Sequence, residues 1–311
     1  MQFFKTPNLD FVSKRRIAYF ISGGLILASL ITLIIQGPNY GIDFKGGTEI
    51  TIRFLVDEGE ISINEIRDVF EGTPLEGNEI KSFGSSVDYL IYIEQEKGVD
   101  NTEATQLVYQ ILTEKLPDKT FEKLGEDVIG PRIGSELRRA TIIASILALF
   151  LILVYIGWRF ELIFSFGAII ALFHDVMITL GIFTIMGYEL SLKEIAAFLT
   201  IIGYSLNDTI VVYDRIRENL KVLRSETLET IINRSINQCL SRTIITSLTT
   251  FVVVLVLFLF GGQVIKGFAF AMLIGVVVGT YSSVFVASPA VLEWQSRHGG
   301  KGRLKMAKKK K

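Results

Sequence analysis

Six long apolar runs dominate the alternation of hydrophobic and polar positions along this 311-residue chain. As a helix rising about 1.5 Å per residue, each run is long enough to cross about 30 Å of hydrocarbon. The runs cover residues 17–35, 140–157, 162–186, 195–213, 243–260 and 268–290. The pattern therefore predicts an α-helical membrane protein with six transmembrane helices.

Between the first two runs, residues 36–138 carry shorter patterns that are typical of a small α/β domain. Alternating or compact apolar segments predict strands, and a 3.6-residue period predicts two helices. Ser62 and Glu65 form a capping-box sequence at the first helix, and Asn101 begins the second. The predicted strands cover residues 49–56, 80–83, 89–93 and 121–129, with a turn at 84–86 between the middle two. The order β-α-β-β-α-β predicts a ferredoxin-like domain between transmembrane helices 1 and 2.

Basic residues near the helix ends predict the orientation, because cytoplasmic loops carry an excess of Lys and Arg. They collect in residues 1–16, at Arg159, in a loop at 214–241 and in a Lys-rich tail at 291–311. Both termini of this multi-pass chain are therefore expected on the cytoplasmic side, and the domain at 36–138 on the outer side, which is the periplasm in a Gram-negative cell. Residues 139–290 would form the remaining helical bundle. The loop at 214–241 is predicted to be an amphipathic helix on the membrane surface with a scaffold role, and the tail is expected to bind anionic lipid headgroups.

Composition excludes several function classes. Half of the residues are hydrophobic, mean hydropathy is +0.44 and the formal charge is zero, so no global basic field would attract nucleic acid. One cysteine and two histidines leave little material for a metal centre, and no cofactor is expected. Residues 41–48 are Gly-rich but lack the Gly-Lys-Ser/Thr ending of a phosphate loop, so they predict a turn. The sequence offers no nucleophile–base pair, so an enzyme is not expected.

Charged residues inside the apolar runs are the most informative feature. Asp208 lies in the fourth run and Arg242 precedes the fifth, and such a charge at a helix centre costs roughly 2.5 to 3.5 kcal/mol. Asp175 lies in the third run and follows His174. Asp208 and Arg242 would either form a fixed ion pair that stabilises helix packing or take part in proton movement. Because neighbours on a helix diverge by about 100°, His174 and Asp175 are not expected to face one seam together.

Small and polar residues recur at helical spacing on four of the predicted spans, which indicates a shared interior seam. The stripes are Ala168, Ala171, Asp175 and Thr179; Thr200, Gly203/Tyr204 and Asn207/Asp208; Arg242, Thr246 and Thr249/Thr250; and Gly275 and Gly279 with Ser282/Ser283.

These motifs together resemble the SecD/SecF family, whose members are subunits of the bacterial Sec protein translocase and belong to the resistance–nodulation–division superfamily. The resemblance covers nearly the whole chain. It rests on residues 41–48 (GIDFKGGT), 173–176 (FHDV), 203–219 (GYSLNDTIVVYDRIREN) and 241–243 (SRT). Tyr213 stands where Phe is common in the family.

The resemblance implies a SecF-type half that pairs with SecD and acts with the SecYEG channel, often alongside YajC. Such chains are thought to use the proton-motive force to draw unfolded preproteins out on the periplasmic side. Asp208 and Arg242 match the positions assigned to the proton pathway, and Asp175 and Asn207 are expected to assist. Two alternatives stay open: a small-molecule or lipid exporter subunit of the same superfamily, and a non-transporting assembly factor.

Overall fold

The computed structural model describes residues 7–55, 61–82, 87–93 and 101–297. Its elements, in chain order, are α1 (Arg15–Ile35), α2 (Ile42–Lys45), β1 (Gly47–Phe54), α3 (Ile63–Phe70), β2 (Glu79–Ser82), β3 (Asp88–Ile93), α4 (Asn101–Lys115), β4 (Phe121–Ile129), α5 (Pro131–Arg159), α6 (Leu162–Ile185), α7 (Leu192–Val222), α8 (Leu228–Phe260), a 3₁₀ turn (Gln263–Ile265), α9 (Lys266–Ser282), a π-helical segment (Ser283–Ala287) and α10 (Ser288–Arg297).

The described chain divides into two compact units. The α/β unit comprises Tyr40–Ala144 together with Leu190–Leu192, and the helical unit comprises the remainder. Helix α5 begins in the α/β unit and continues into the helical unit. Likewise, the first residue of α7 belongs to the α/β unit, although the rest of that helix does not.

The α/β unit confirms the predicted ferredoxin-like topology. Its four strands form one antiparallel sheet in the order β2-β3-β1-β4, with α3 and α4 in the connections. Ile50, Ile52 and Phe54 alternate along β1 on the buried face, as period-2 patterning requires. The capping box is present: Glu65 N–H donates to Ser62 Oγ at 3.2 Å, and Ser62 N–H donates to Glu65 Oε2 at 2.6 Å. The predicted turn at 84–86 lies outside the described residues.

Six helical segments of the described chain are long and apolar enough to cross a membrane, in agreement with the predicted number. The last of them is not a single α-helix, because α9 passes through a π-helical segment into α10. The Lys-rich segment 301–311 and Lys5 lie outside the described residues.

The connection at 214–241 differs from the predicted surface helix. Helix α7 continues to Val222, and α8 already begins at Leu228, so the two spans extend as helices well beyond their apolar runs. Ile216, Ile231 and Ile236 are buried in the core of the helical unit. The apolar stripe of the predicted amphipathic helix therefore packs the two extensions against the rest of the helical unit.

The extension of α8 also holds the N-terminal segment, as a scaffold would. The side-chain oxygen of Asn237 accepts a hydrogen bond of 2.9 Å from Leu9 N–H, and its amide donates to Leu9 O at 2.8 Å. One turn earlier, the oxygen of Asn233 accepts from Phe11 N–H at 2.8 Å. The two asparagines therefore satisfy backbone groups of a segment that has no regular secondary structure.

Candidate functional site

Asp208 is a buried carboxylate near the middle of α7. It lies 16 residues after Leu192 and 14 residues before Val222, so about 21 Å of helix separates it from the latter. Only 3% of the residue is exposed. The apolar run 195–213 ends five residues after Asp208, so the run alone would place this acid closer to a helix end than the structure does. A carboxylate held this far inside a helical bundle is costly unless it has partners or a function.

The partners of Asp208 come from α8 and α9. The hydroxyl of Ser247 donates a long hydrogen bond of 3.4 Å to Asp208 Oδ2. Oγ1 of Thr280 in turn lies 2.7 Å from Ser247 Oγ. These hydroxyl contacts are neutral and one of them is long, so the carboxylate has capacity for another partner.

Arg242 lies on the same helix as Ser247, five residues earlier, which is about 7.5 Å along the axis. Its side chain is exposed in this chain, and within the described residues it forms no ion pair of 4.0 Å or less with Asp208. The fixed ion pair that the sequence left open is therefore not the arrangement observed. Asn207 is exposed as well, since it points away from the buried side of α7 that Asp208 occupies.

Asp175 and His174 form a second polar cluster. Both are buried, with exposures of 0% and 2%. His174 Nδ1 lies 2.8 Å from Asp175 Oδ1, and His174 Nε2 lies 3.0 Å from the hydroxyl oxygen of Ser22 on α1. The expectation that the two neighbours cannot share one seam is therefore wrong. Helix α1 packs against α6 and buries the imidazole, and the side-chain torsions bring the ring back to the carboxylate.

The other oxygen of Asp175 accepts hydrogen bonds from two serine hydroxyls. One comes from Ser205 on α7, and the other, at 2.7 Å, comes from Ser282 on α9. The hydroxyl of Tyr281 lies 3.2 Å from Ser22 Oγ, and it donates to Ala18 O at 3.0 Å. The cluster around Asp175 therefore joins α1, α6, α7 and α9.

Glycines allow these helices to approach closely. A side chain at Gly275 would overlap Ile201 on α7, at 2.4 Å from its Cδ1, and one at Gly279 would crowd Ser205. The Gly275/Gly279 pair thus has the close-packing role that its spacing predicted. A second close approach joins α1 and α6. A Cβ at Gly181 of α6 would lie 2.7 Å from Ser29 Cα of α1, so the backbones of the two helices are close together there.

The structure divides the predicted stripe on α7. Ser205, Asp208 and Thr209 are buried, whereas Thr200, Gly203 and Asn207 lie on an exposed face. Sequence reasoning missed two hydroxyl residues that contact the acids directly, Ser205 and Ser247, and three that contact the partners of the acids, Ser22, Thr280 and Tyr281. Each is a hydroxyl residue within an apolar run, but this signal is weak because such hydroxyls often bond to their own helix backbone.

Comparison with known families decides the identity of this arrangement. A model of the family described as "Protein export membrane protein SecD/SecF, C-terminal" matches residues 109–297, and a model of the "SecD/SecF GG Motif" matches residues 31–54. The chain belongs to the SecD/SecF family. It thereby belongs among the subunits of the Sec protein translocase, as a multi-pass membrane protein.

Individual relatives from the SecD/SecF family agree with this assignment. The chain is 44% identical to "Protein translocase subunit SecF" of Rhodothermus marinus over 99% of its own length and 100% of the relative's. It is 43% identical to the protein of the same name from Calditerrivibrio nitroreducens, over 91% and 93% of the two chains. The crystal structure of SecDF, a translocon-associated membrane protein from Thermus thermophilus, matches 94% of the chain with a TM-score of 0.83 and 37% identity. The chain spans only 39% of the length of that SecDF chain.

Proposed function

We propose that the chain is the SecF-type half of a proton-driven protein export machine, in the bacterial inner membrane with both termini in the cytoplasm. It would pair with SecD, act with the SecYEG channel and help draw unfolded preproteins out on the periplasmic side. YajC and membrane lipids are proposed as further partners. In this role the chain couples proton movement to work and has no catalytic site of its own.

The observation that carries the proposal is the state of Asp208. Its carboxylate is buried near the middle of α7, its contact with Ser247 is long, and Arg242, the basic residue of the predicted pair, is exposed. A buried acid without a fixed counter-charge is suited to bind and release a proton. Approach of Arg242 would favour the ionised form, and its withdrawal would favour the protonated form.

Asp175 and Asn207 have weaker support as assistants. Asp175 already accepts three hydrogen bonds inside this chain, an arrangement that also fits a structural role. Asn207 lies on the exposed face of α7, together with Thr200 and Gly203. Because small and polar residues favour close contact between helices in a membrane, we propose that this face adjoins the partner's helices. The partner would then supply the other charged groups of the pathway.

The decisive experiment replaces Asp208 by Asn in vesicles that hold the complete translocase. ATP-dependent translocation should persist, whereas its stimulation by a proton gradient should be lost. Asp118→Asn, a change of the same type at an exposed position between α4 and β4, is the matched control and should retain the stimulation. If Asp208→Asn retained it as well, the residue would be only a packing element and the assembly-factor alternative would be favoured.

A further inference from the structure

The turn that contains α2 makes a set of contacts that the proposed function does not explain. It connects α1 to β1 and includes Asp43, Gly46 and Gly47. Gly46 and Gly47 have φ values of 76° and 139°, which residues other than glycine rarely adopt. A Cβ at Gly47 would also lie only 2.4 Å from Ile93 O. The hydroxyl of Tyr92 donates a buried hydrogen bond of 2.7 Å to Gly46 O. The turn is therefore built firmly onto strand β3 of the α/β unit.

The same turn holds the residues that lead into α7. Gly41 N–H donates to Leu190 O at 3.0 Å, and Tyr40 pairs with Leu190 as an isolated parallel bridge. Oδ2 of Asp43 accepts a hydrogen bond of 2.8 Å from the backbone N–H of Leu192. Leu192 is the first residue of α7, so its N–H has no acceptor within the helix. A carboxylate at this position also interacts favourably with the positive end of the helix dipole.

Helix α7 continues without interruption from Leu192 to Asp208 over about 24 Å. One continuous helix therefore links the first turn of α7 to the buried acid. The two residues before this helix and its first residue, Leu190–Leu192, cluster with the α/β unit and not with the helical unit. The side chain of Asp43 binds the helix itself, whereas the contacts of Tyr40 and Gly41 bind the loop before it.

We propose that Asp43 is a positioning residue that fastens the start of α7 to the α/β unit, so that movement of that unit and the state of Asp208 are coupled. The proposal rests on the proposed function, since it presumes that Asp208 responds to the proton gradient. It assigns to the Gly-rich turn a mechanical role through one hydrogen bond whose two partners can be removed separately.

Two pairs of variants isolate this hydrogen bond. Asp43→Ala removes the acceptor, whereas Asp43→Asn keeps an oxygen in its place. Leu192→Pro removes the donor at a position where helices accept proline, since the N–H of this residue has no acceptor within the helix. Leu192→Ala shortens the side chain and keeps the N–H, so it controls for the loss of the leucine.

The first readout is amide hydrogen exchange of the full chain at the start of α7. Asp43→Ala should accelerate exchange in peptides that cover Leu190–Leu192, and Asp43→Asn should do so less. The second readout is the fraction of preprotein translocation that depends on the proton gradient, in vesicles with the complete translocase. That fraction should fall about threefold or more in Asp43→Ala and Leu192→Pro, while the ATP-dependent part is unchanged. Asp43→Asn and Leu192→Ala should retain most of that fraction. The double variant that combines Asp43→Ala with Leu192→Pro should lose no more of it than either single variant, because both changes remove the same hydrogen bond.

Several results would overturn the proposal. Unchanged exchange in Asp43→Ala would show that the hydrogen bond does not hold the helix start. Faster exchange with unchanged gradient-dependent translocation would show a helix cap without a coupling role. If Asp208→Asn were also without effect, the proposed function itself would fail and the coupling with it. If Asp208→Asn abolished the stimulation and Asp43→Ala did not, only the role of Asp43 would be lost.

Discussion

His174 and Asp175, adjacent in the sequence, are in hydrogen-bond contact with 2.8 Å between Nδ1 and Oδ1. The contact places an imidazole and a carboxylate together in the interior of the helical unit. The imidazole also contacts the hydroxyl of Ser22 on α1, and the carboxylate accepts hydrogen bonds from Ser205 and Ser282. Since buried polar groups are stabilising only when they are paired, this cluster fixes the mutual positions of α1, α6, α7 and α9, and two of these helices, α7 and α9, also contribute to the site of Asp208.

Removal of the carboxylate at position 175 is expected to destabilise the chain. Asp175→Ala leaves the donors of His174, Ser205 and Ser282, which are all buried, without this acceptor, at a cost of about 1 to 3 kcal/mol. Asp175→Asn retains an oxygen and should cost less. The measurement is the thermal unfolding midpoint of the purified protein in detergent.

Asp118→Ala serves as the control for this prediction, because Asp118 is exposed. It should leave the midpoint unchanged. Equal midpoints for Asp175→Ala and the unmodified chain would mean that the cluster contributes nothing to stability, and that the pairing of its donors does not depend on the carboxylate.

The backbone contact between α1 and α6 gives a second prediction. A methyl group at Gly181 would lie 2.1 Å from Ser29 Oγ and 2.7 Å from Ser29 Cα, so the helices must separate to admit it. Overpacking of this kind typically costs about 1 to 3 kcal/mol. Gly181→Ala should therefore lower the unfolding midpoint, whereas Gly203→Ala, with nothing within 4 Å of the new atom, should not. A midpoint for Gly181→Ala as high as that of Gly203→Ala would contradict the observed closeness of α1 and α6.

Much of this architecture could be predicted from local patterns. Apolar run length predicts the six spans, and the Ser62–Glu65 spacing predicts the start of α3. The amphipathic pattern at 214–241 predicted a helix, but its continuity with the two spans was missed, because charged residues such as Asp214 and Arg234 end the apolar runs. The His174–Asp175 contact was also missed. It depends on α1, which lies more than a hundred residues earlier, and on side-chain torsions that helical spacing does not determine.

The capping box of α3 predicts a local response to acid. The backbone N–H of Ser62 donates to the Glu65 carboxylate, and this hydrogen bond, with that from the Ser62 side chain, lowers the pKa of Glu65 below its usual value. A carboxyl whose pKa is lower in the folded state contributes stability above its unfolded pKa, near 4.3, and loses it as the pH falls through the folded pKa. Exchange of the Ser62 amide, corrected for its intrinsic pH dependence, should therefore accelerate below about pH 4.3.

Glu65→Gln provides the control for the acid response, because glutamine can also complete a capping box but does not titrate. In that variant the corrected exchange of the Ser62 amide should not change with pH over the same interval. A parallel acid dependence in both proteins would assign the effect to other carboxyl groups of the α/β unit.

The exposed face of α7 gives the last prediction. Thr200, Gly203 and Asn207 recur at helical spacing, and an added atom at Gly203 meets nothing within 4 Å in the isolated chain. If the partner's helices adjoin this face, a large side chain should block them without disturbing the chain itself. Gly203→Phe is therefore expected to keep the unfolding midpoint of the isolated protein and to reduce co-purification with SecD. Gly24→Phe places the same side chain at an equally open, exposed glycine on α1 and should leave co-purification intact. Equal recovery of SecD with both variants would place the partner on another surface, whereas a loss with both would indicate a general effect of the added ring.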